Sequence, residues 1–525
     1  MKYRVFMACL AALAVAPVSA HAAGANQDKP NILFIVADNQ SAGLLGSYGN
    51  PDILTPHIDR LATQGTRFTR VFAANGMCSP TRATLLTGLM PDQHGLHDWL
   101  NDAQMTTLPP DWSAVSEFRT VPYTLKQKGY RTAMIGKWHI GQPWKPQLGY
   151  DYWVTFEHGH TMDFWHKSVI DNGEQYPVTD QHIDDFLGKK AAAYLRDRAK
   201  SDDKPFFMQL SFSGPYMNPP TNVGPARNKF YPYYSKQPLT SFPRETINQN
   251  YIDQMLDSAG DEELTFLDRI IRVVMGKMAG SQETIANMAS QNTHVDANVG
   301  RVLDALEESG LQDNTIVIYT ADQGVYYGQH GLWTHTILSE PSTLHETAMH
   351  VPLIVKKPGA AQGRVENALI GQYDIPVTIL SLAGIDQDLK ASPGKSFERM
   401  LDEGASEPLH DAVFYEQTET RAIRTDRFAY WKRMDADFGE DRLYDMKNDP
   451  EQTRDLADDA DYKDVISDLS QRMDAFYAEF SDPAYDLWHG GTAKGTLSYP
   501  EKFKARFGQD WELETRTVAP FQGED

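Results

Sequence analysis

Cysteine is almost missing from this chain: its 525 residues hold two, Cys9 and Cys78. So few thiols exclude a disulfide framework, and the core must hold without covalent staples. Long apolar runs are missing as well. Beyond the N-terminus no segment approaches the ~18 consecutive apolar residues of a membrane helix, so no membrane span is expected and the processed chain should be soluble. Basic residues are outnumbered, 49 against 71 acidic, for a formal charge of −22. That balance argues against nucleic acid as a partner. It would repel a polyanion at long range, but screening beyond about 8 Å at physiological salt leaves local lysines and arginines free to hold one. Internal repeats, low-complexity tracts and heptads are absent too.

What is present starts at the N-terminus. Met1-Lys2-Tyr3-Arg4, an apolar run from Val5 to Val18 and the small residues Ser19-Ala20-His21-Ala22-Ala23 have the layout of a secretory signal cut near Ala22. The run is too short to span a bilayer. The expectation is export, to the periplasm or as a secreted protein. Loss of Lys2 and Arg4 would take the charge to −22 − 2 = −24. Cys9 would leave with the signal. Cys78 would then be the sole thiol, unable to form an internal disulfide, and either an inert buried filler or a reactive centre.

With 41% hydrophobic and 11% aromatic residues over its full length, the chain can fill one large core and a satellite. Asn31 to Ala37 (NILFIVA) and Thr315 to Thr320 (TIVIYT) are short β-branched runs, as expected of strands buried on both faces. Phe206 to Phe212 and Pro352 to Val355 resemble them. Between these lie helical patterns; in Gln291–Gly310 the residues Val295, Val299, Val302, Leu303 and Leu306 keep helical spacing, with Gly310 as a C-cap. Strands alternating with helices predict α/β with a large, mostly parallel sheet. Ligands in such folds sit beyond the carboxyl ends of strands, where Asp38-Asn39 and Asp322-Gln323 fall. The aromatic-rich stretch Gly214–Tyr251 lacks periodicity and is read as a binding or lid loop, or as surface decoration. Past residue 400 the pattern changes: Arg421–Phe428 and Arg442–Met446 read as antiparallel strands, and the acidic segment Asp449–Asp464 leads into a helix near Val465–Phe480. The domains expected are 1–22 (signal), 23–400 (catalytic) and 401–525 (a smaller α+β unit on an antiparallel sheet, with the tail).

Cys78-Ser79-Pro80-Thr81-Arg82, followed by Ala83-Thr84-Leu85-Leu86-Thr87-Gly88, is a C-x-P-x-R motif. Around it, in order, lie Asp38-Asn39, Thr55-Pro56-His57-Ile58-Asp59-Arg60-Leu61-Ala62, Gly136-Lys137-Trp138-His139, Asp322-Gln323-Gly324, His330-Gly331-Leu332-Trp333, Val351-Pro352-Leu353-Ile354, Leu443-Tyr444-Asp445 and Asp449-Pro450. This series, from Pro30 to about Phe480, resembles the formylglycine-dependent sulfatases of the alkaline phosphatase-like superfamily. Asp38, Asn39, Asp322 and Gln323 offer hard oxygen ligands from two strand ends; the bland reading is turn and helix capping. The resemblance implies a Ca2+ site (Mg2+ possible), with the modified Cys78 adding an oxygen. It implies that Cys78 is oxidised to formylglycine, 3-oxoalanine, by a formylglycine-generating enzyme, and that the hydrated aldehyde attacks the sulfate sulfur. Direct thiolate attack is disfavoured, since three residues between Cys and Arg cannot form the oxyanion loop of a cysteine phosphatase.

Arg82, one helical turn on, would orient the hydrate; otherwise it is a solvated helix residue. Lys137 and His139 alternate in a stretch read as extended, so both should point the same way. The resemblance makes Lys137 a sulfate contact and His139 the base for the hydrate. Three positions depart from the family pattern: Asn39 where an aspartate is usual, Tyr216 after Ser213-Gly214-Pro215 where many members have histidine, and His335 after Trp333-Thr334 where many have lysine. His335 could protonate the leaving group or hold sulfate, and Tyr216 could touch substrate. A phenol near pKa 10 is the poorer acid at neutral pH. The function expected is hydrolysis of the sulfate ester of a small molecule or glycan. Two rivals are a phosphonate or phosphate diester hydrolase of the same fold, and an inactive sulfated-glycan-binding protein.

Overall fold

The computed structural model describes residues 29–523 apart from 101–104, 158, 160–162, 202–203, 217–224, 245–247, 249–252, 254–272, 274–278, 334, 337–340, 387–388, 390 and 403–407. The segment read as a secretory signal and part of the Gly214–Tyr251 loop therefore lie outside the described residues. Among the described residues no helix is long and apolar enough to cross a membrane.

Ten strands form one sheet: β1 (Asn31–Ala37), β2 (Thr66–Phe72), β3 (Arg131–Gly136), β4 (Tyr152–Phe156), β5 (Lys167–Asp171), β6 (Glu174–Val178), β7 (Phe206–Ser211), β8 (Thr315–Ala321), β9 (Leu353–Lys356) and β10 (Arg364–Gly371). Their order is β10-β2-β9-β8-β1-β7-β3-β4-β5-β6. The central run from β8 through β1, β7 and β3 to β4 is parallel, with Ile32 opposite Phe207 and Ile316. The apolar runs that predicted β1 and β8 are buried at every position, because helices cover both faces. Strand β9 runs antiparallel to both β8 and β2. Two reversals cancel, so β2 points the same way as β1, β3, β7 and β8, and the loops leaving all five strands meet along one edge.

The helix Gln282–Glu308 is longer than the segment read from periodicity, and Gly310 takes φ +67° just past the cap residue Ser309. A separate antiparallel sheet holds β11 (Ala412–Gln417), β12 (Thr420–Thr425), β13 (Phe428–Arg433) and β14 (Arg442–Asp445), in that order. Arg421–Phe428 is thus not one strand. The chain turns at Asp426-Arg427, where two charged residues interrupt the alternation, and Phe428 starts the next strand. Val413, Tyr415, Ala422 and Trp431 join the main core, whereas Ile423, Tyr430 and Leu443 pack with Leu469, Met473 and Tyr477 of the helix Lys463–Glu479. The small sheet is clamped between the main core and its own helix.

Candidate active site

Cys78 opens the helix Cys78–Thr87, every residue of which is buried. Pro80 fits in that first turn because the leading N–H groups of a helix have no intrahelical acceptor to lose. Gly88 ends the helix with φ +72° and its N–H on the Thr84 carbonyl at 2.8 Å. Arg82 lies four residues after Cys78, on the same helix face. It is 2% exposed, so it is not a solvated surface residue. Its Nη2 donates to Asp322 Oδ2 at 2.6 Å and its Nη1 to the Lys137 carbonyl at 2.9 Å.

Backbone bonds stitch the strand-end loops together: Asp38 N to Gly214 O (2.9 Å), Asp322 N to Ala37 O (3.0 Å) and Lys137 N to Ser211 O (2.9 Å). The chain at Lys137–His139 is not extended. Gly136 turns at φ +118°, where a Cβ would stand 1.8 Å from the Ser211 carbonyl oxygen, and His139 sits at φ +59°. The two side chains diverge in consequence. Lys137 Nζ donates to Asp38 Oδ2 at 2.6 Å, and His139 Nε2 bonds to the Leu100 carbonyl at 2.7 Å. That bond selects the tautomer with the proton on Nε2 and the lone pair on Nδ1.

One ligand atom each from Asp38, Cys78 and Asp322 lies within 4.8 Å of the others, all buried. Asp322 Oδ1 accepts from Asn39 N (3.1 Å) and Gln323 N (2.8 Å), while Asp38 Oδ1 is buried and accepts no hydrogen bond. The Arg82 guanidinium stands 3.9 Å from that oxygen, too far to donate, and a buried carboxylate oxygen without a donor is costly and calls for a closer cation. Asn39 and Gln323 flank these carboxylates with their amides bonded to each other, and two carboxylates beside two amides make a donor set that fits a hard divalent ion. Burial pushes Asp38 up to about 7 against the pull of Lys137, and Asp322 adds a smaller push. Burial also holds the Cys78 thiol at about 11, despite Lys137. A thiol protonated at neutral pH is a poor nucleophile as it stands.

The three departures from the family pattern lie together. Gln323 Nε2 donates to Asn39 Oδ1, and Asn39 Nδ2 donates to His335 Nε2 at 2.7 Å. The His335 ring lies 5.9 Å from that of Tyr216, whose face is 5.1 Å from Lys137 Nζ. Asn39 therefore joins Gln323 to His335, accepting from the one and donating to the other.

Two supporting residues carried no local signal in the sequence. Asp184 takes Ser213 N at 2.7 Å and Gly214 N at 2.9 Å, shaping the turn before Tyr216. Gln372 donates to the Asp322 carbonyl at 2.6 Å and accepts from Ala74 N at 3.2 Å. Aspartates and glutamines are common on surfaces, and only the fold turns these two inward.

A mostly parallel α/β sheet with paired acidic strand ends, a buried Cys-x-Pro-x-Arg helix and two buried cations defines a hydrolase of anionic esters in the alkaline phosphatase-like superfamily. The Sulfatase family model matches residues 30–385, and a second model, described as N-sulphoglucosamine sulphohydrolase, C-terminal, matches residues 328–479. The chain belongs to the sulfatase family and is a sulfuric ester hydrolase. It is 27% identical to an N-acetylglucosamine-6-O-sulfatase of Bacteroides thetaiotaomicron, over 86% of this chain and 87% of the relative. It is 25% identical to an ulvan-active sulfatase of Formosa agariphila, over 90% and 89%. A solved structure in complex with its substrate D-glucosamine-2-N,6-O-disulfate superposes with TM-score 0.68 at 24% identity, covering 86% of this chain and 98% of that one. The phosphonate monoester hydrolase of Agrobacterium radiobacter gives 0.63 at 21%, covering 87% and 97%. These two likenesses establish the fold alone.

Proposed function

We propose that this sulfatase is exported and removes sulfate from a sulfated carbohydrate, with Cys78 matured to formylglycine and a divalent cation, Ca2+ or else Mg2+, held by Asp38, Asn39, Asp322 and Gln323. The observation that carries the reading is the buried, acceptor-only Asp38 Oδ1 beside Cys78 and Asp322, with Arg82 and Lys137 closing the cluster. The carbohydrate assignment rests on the curated relatives, whose names specify N-acetylglucosamine-6-O-sulfate and ulvan. Residues 23–400 form the catalytic part in this reading and 401–525 the smaller part.

Once matured, residue 78 supplies a hydrated aldehyde whose hydroxyl is the nucleophile toward sulfur, and the cation supplies positive charge to the sulfate oxygens. The rest falls to the chain's own groups. Arg82 Nε–H is buried and donates to nothing, so it is available to a sulfate or hydrate oxygen. Lys137 adds a second cation, fixed by Asp38. His139 offers the Nδ1 lone pair to the hydrate proton while Leu100 holds Nε2. His335 protonates the departing alcohol, or Tyr216 does so in its place. Walls this buried exclude water and strengthen each contact.

Sulfate release from a panel of sulfated glycans, run beside an aryl sulfate and an aryl phosphonate ester, tests the proposal. Turnover of the phosphonate alone would favour the phosphonate or phosphate diester reading. Tight binding of a sulfated sugar with no sulfate released would favour an inactive binder, the reading that the substitutions at Asn39, Tyr216 and His335 keep open.

A further inference from the structure

We infer that Gln417, the last residue of β11 in the small sheet, is a positioning residue for the sulfatase site. It sets the spacing between the loop that presents Cys78 and the loop that presents His335. The inference rests on the function proposed above and adds a part of the machinery from outside the large sheet.

Gln417 is fully buried, 341 residues away in sequence from the loop it holds. Its Oε1 accepts two hydrogen bonds, from Gly76 N at 3.2 Å and from Thr336 Oγ1 at 3.2 Å. Gly76 stands two residues before Cys78, and Thr336 directly follows His335. One oxygen atom thus ties together the approach to the nucleophile and the residue beside the candidate acid. The amide nitrogen reaches the His97 carbonyl at 3.4 Å, and Asn75 Nδ2 reaches the same carbonyl at 3.3 Å while Asn75 Oδ1 holds Met77 N.

The join has no slack. A Cβ on Gly76 would lie 2.0 Å from Thr336 Oγ1, so the Thr336 side chain packs directly against the Gly76 backbone. The hairpin tip is itself anchored on both sides. Glu416 N donates to the Ala74 carbonyl at 3.0 Å, Ser342 N donates to Glu419 Oε1 at 2.8 Å, and Trp488 Nε1 donates to the Thr418 carbonyl at 3.2 Å. Glu419 therefore holds Ser342, while Glu416 holds Ala74, ahead of Cys78 in the chain. A side chain held this firmly can transmit position, and a misplacement of about 1 Å between reacting groups costs on the order of a hundredfold in rate.

A plain structural role would be to dock the small sheet, so the test must separate docking from positioning. Gln417→Met keeps the shape and removes the acceptor, Gln417→Glu keeps an acceptor oxygen, and Thr336→Val deletes one donor. Each variant and the Gln417→Met/Thr336→Val double variant would be assayed for kcat and KM on aryl sulfates of graded leaving-group strength. In chain produced without the modifying enzyme, the rate of Cys78 alkylation by iodoacetamide provides a readout that needs no turnover. Positioning requires Gln417→Met to lower kcat about 10–100-fold with KM changed less than about threefold. The loss should grow as the leaving group worsens, because the spacing to His335 is disturbed. Gln417→Glu should recover most of the rate, and the double variant should be no worse than Gln417→Met, since both remove the same bond. Alkylation of Cys78 should shift in Gln417→Met and Thr336→Val but not in Gln417→Glu. Unchanged kcat and alkylation in Gln417→Met, or losses that multiply in the double variant, would overturn the inference. If the parent chain cleaves no sulfate ester, the functional proposal falls, and the alkylation rates alone decide the positioning role. Should Gln417→Met fail to fold, Thr336→Val decides by the same two readouts.

Discussion

Replacing His335 with glutamine removes a proton donor while preserving the contact the residue makes. Asn39 Nδ2 donates to His335 Nε2 at 2.7 Å, and a glutamine carbonyl oxygen can accept that same bond. His335→Gln should therefore leave Asn39 and the candidate metal ligands in place, with catalysis as the term that changes. General acid assistance is worth about 10²–10⁴ in rate, or about 3–5 kcal/mol at 1.36 kcal/mol per tenfold. The full loss is expected only where the leaving alcohol is a poor one, as with a sugar hydroxyl. A nitrophenolate leaves with little help, so its ester should lose less than about tenfold. The assay is kcat/KM for a graded series of aryl sulfates and one sugar sulfate, plotted against leaving-group pKa. The variant's line should be steeper than the parent's. His335→Ala should show the same steepening plus a uniform penalty of about 1–3 kcal/mol, from the Asn39 amide left buried without its acceptor. Parallel lines for parent and His335→Gln would refute the acid role and leave His335 as a sulfate contact. The same series on Tyr216→Phe would then ask whether the phenol supplies the proton.

Removing divalent metal with a chelator should abolish turnover and lower Tm. Ca2+ or Mg2+ should restore both, with about 2.7 kcal/mol of stabilisation at a hundred times Kd; Asp322→Ala should weaken this response more than Asn39→Ala, because it removes a full charge. Mass spectrometry of the active protein should find Cys78 having lost its sulfur and gained oxygen, and Cys78→Ala should fold but not turn over; an alkylatable thiol in fully active enzyme would contradict this. His294 is buried against His182, near Asp185, Lys229 and Arg301, and burial drives its pKa down to about 4 even though Asp185 pulls it up. The unfolded chain therefore takes up that proton first, so stability is lost as pH falls from about 6.5 toward 4, by up to about 3 kcal/mol. Burial raises Asp184 and Asp296 to about 7, giving the opposite slope in the same window. The informative quantity is accordingly the difference in Tm between parent and His294→Phe, which should move in the variant's favour with acid; a pH-independent difference would remove the assignment.

Apolar runs such as Asn31–Ala37 and Thr315–Ala321 were sufficient to place the central strands, because a strand buried on both faces must be apolar throughout. The strand-end rule likewise placed Asp38-Asn39 and Asp322-Gln323 at one edge. The C-x-P-x-R spacing put Cys78 and Arg82 on one helix face, since that geometry is local. The Lys137–His139 stretch failed as an extended segment for a reason outside itself: the close approach of Ser211 forces Gly136 to turn, so period-two alternation has no meaning there. The same limit explains Asp184, Gln372 and Gln417. Each is an ordinary polar residue in its own stretch, and each acquires a role through a partner that sequence distance hides. Composition, periodicity and motif order determined the class of fold and the family. Tertiary structure alone decided which oxygen stands orphaned, which tautomer a histidine adopts and which distant side chain holds two loops together, because buried hydrogen bonds are set by where the packed backbone brings donors and acceptors and not by the order in which the chain lists them.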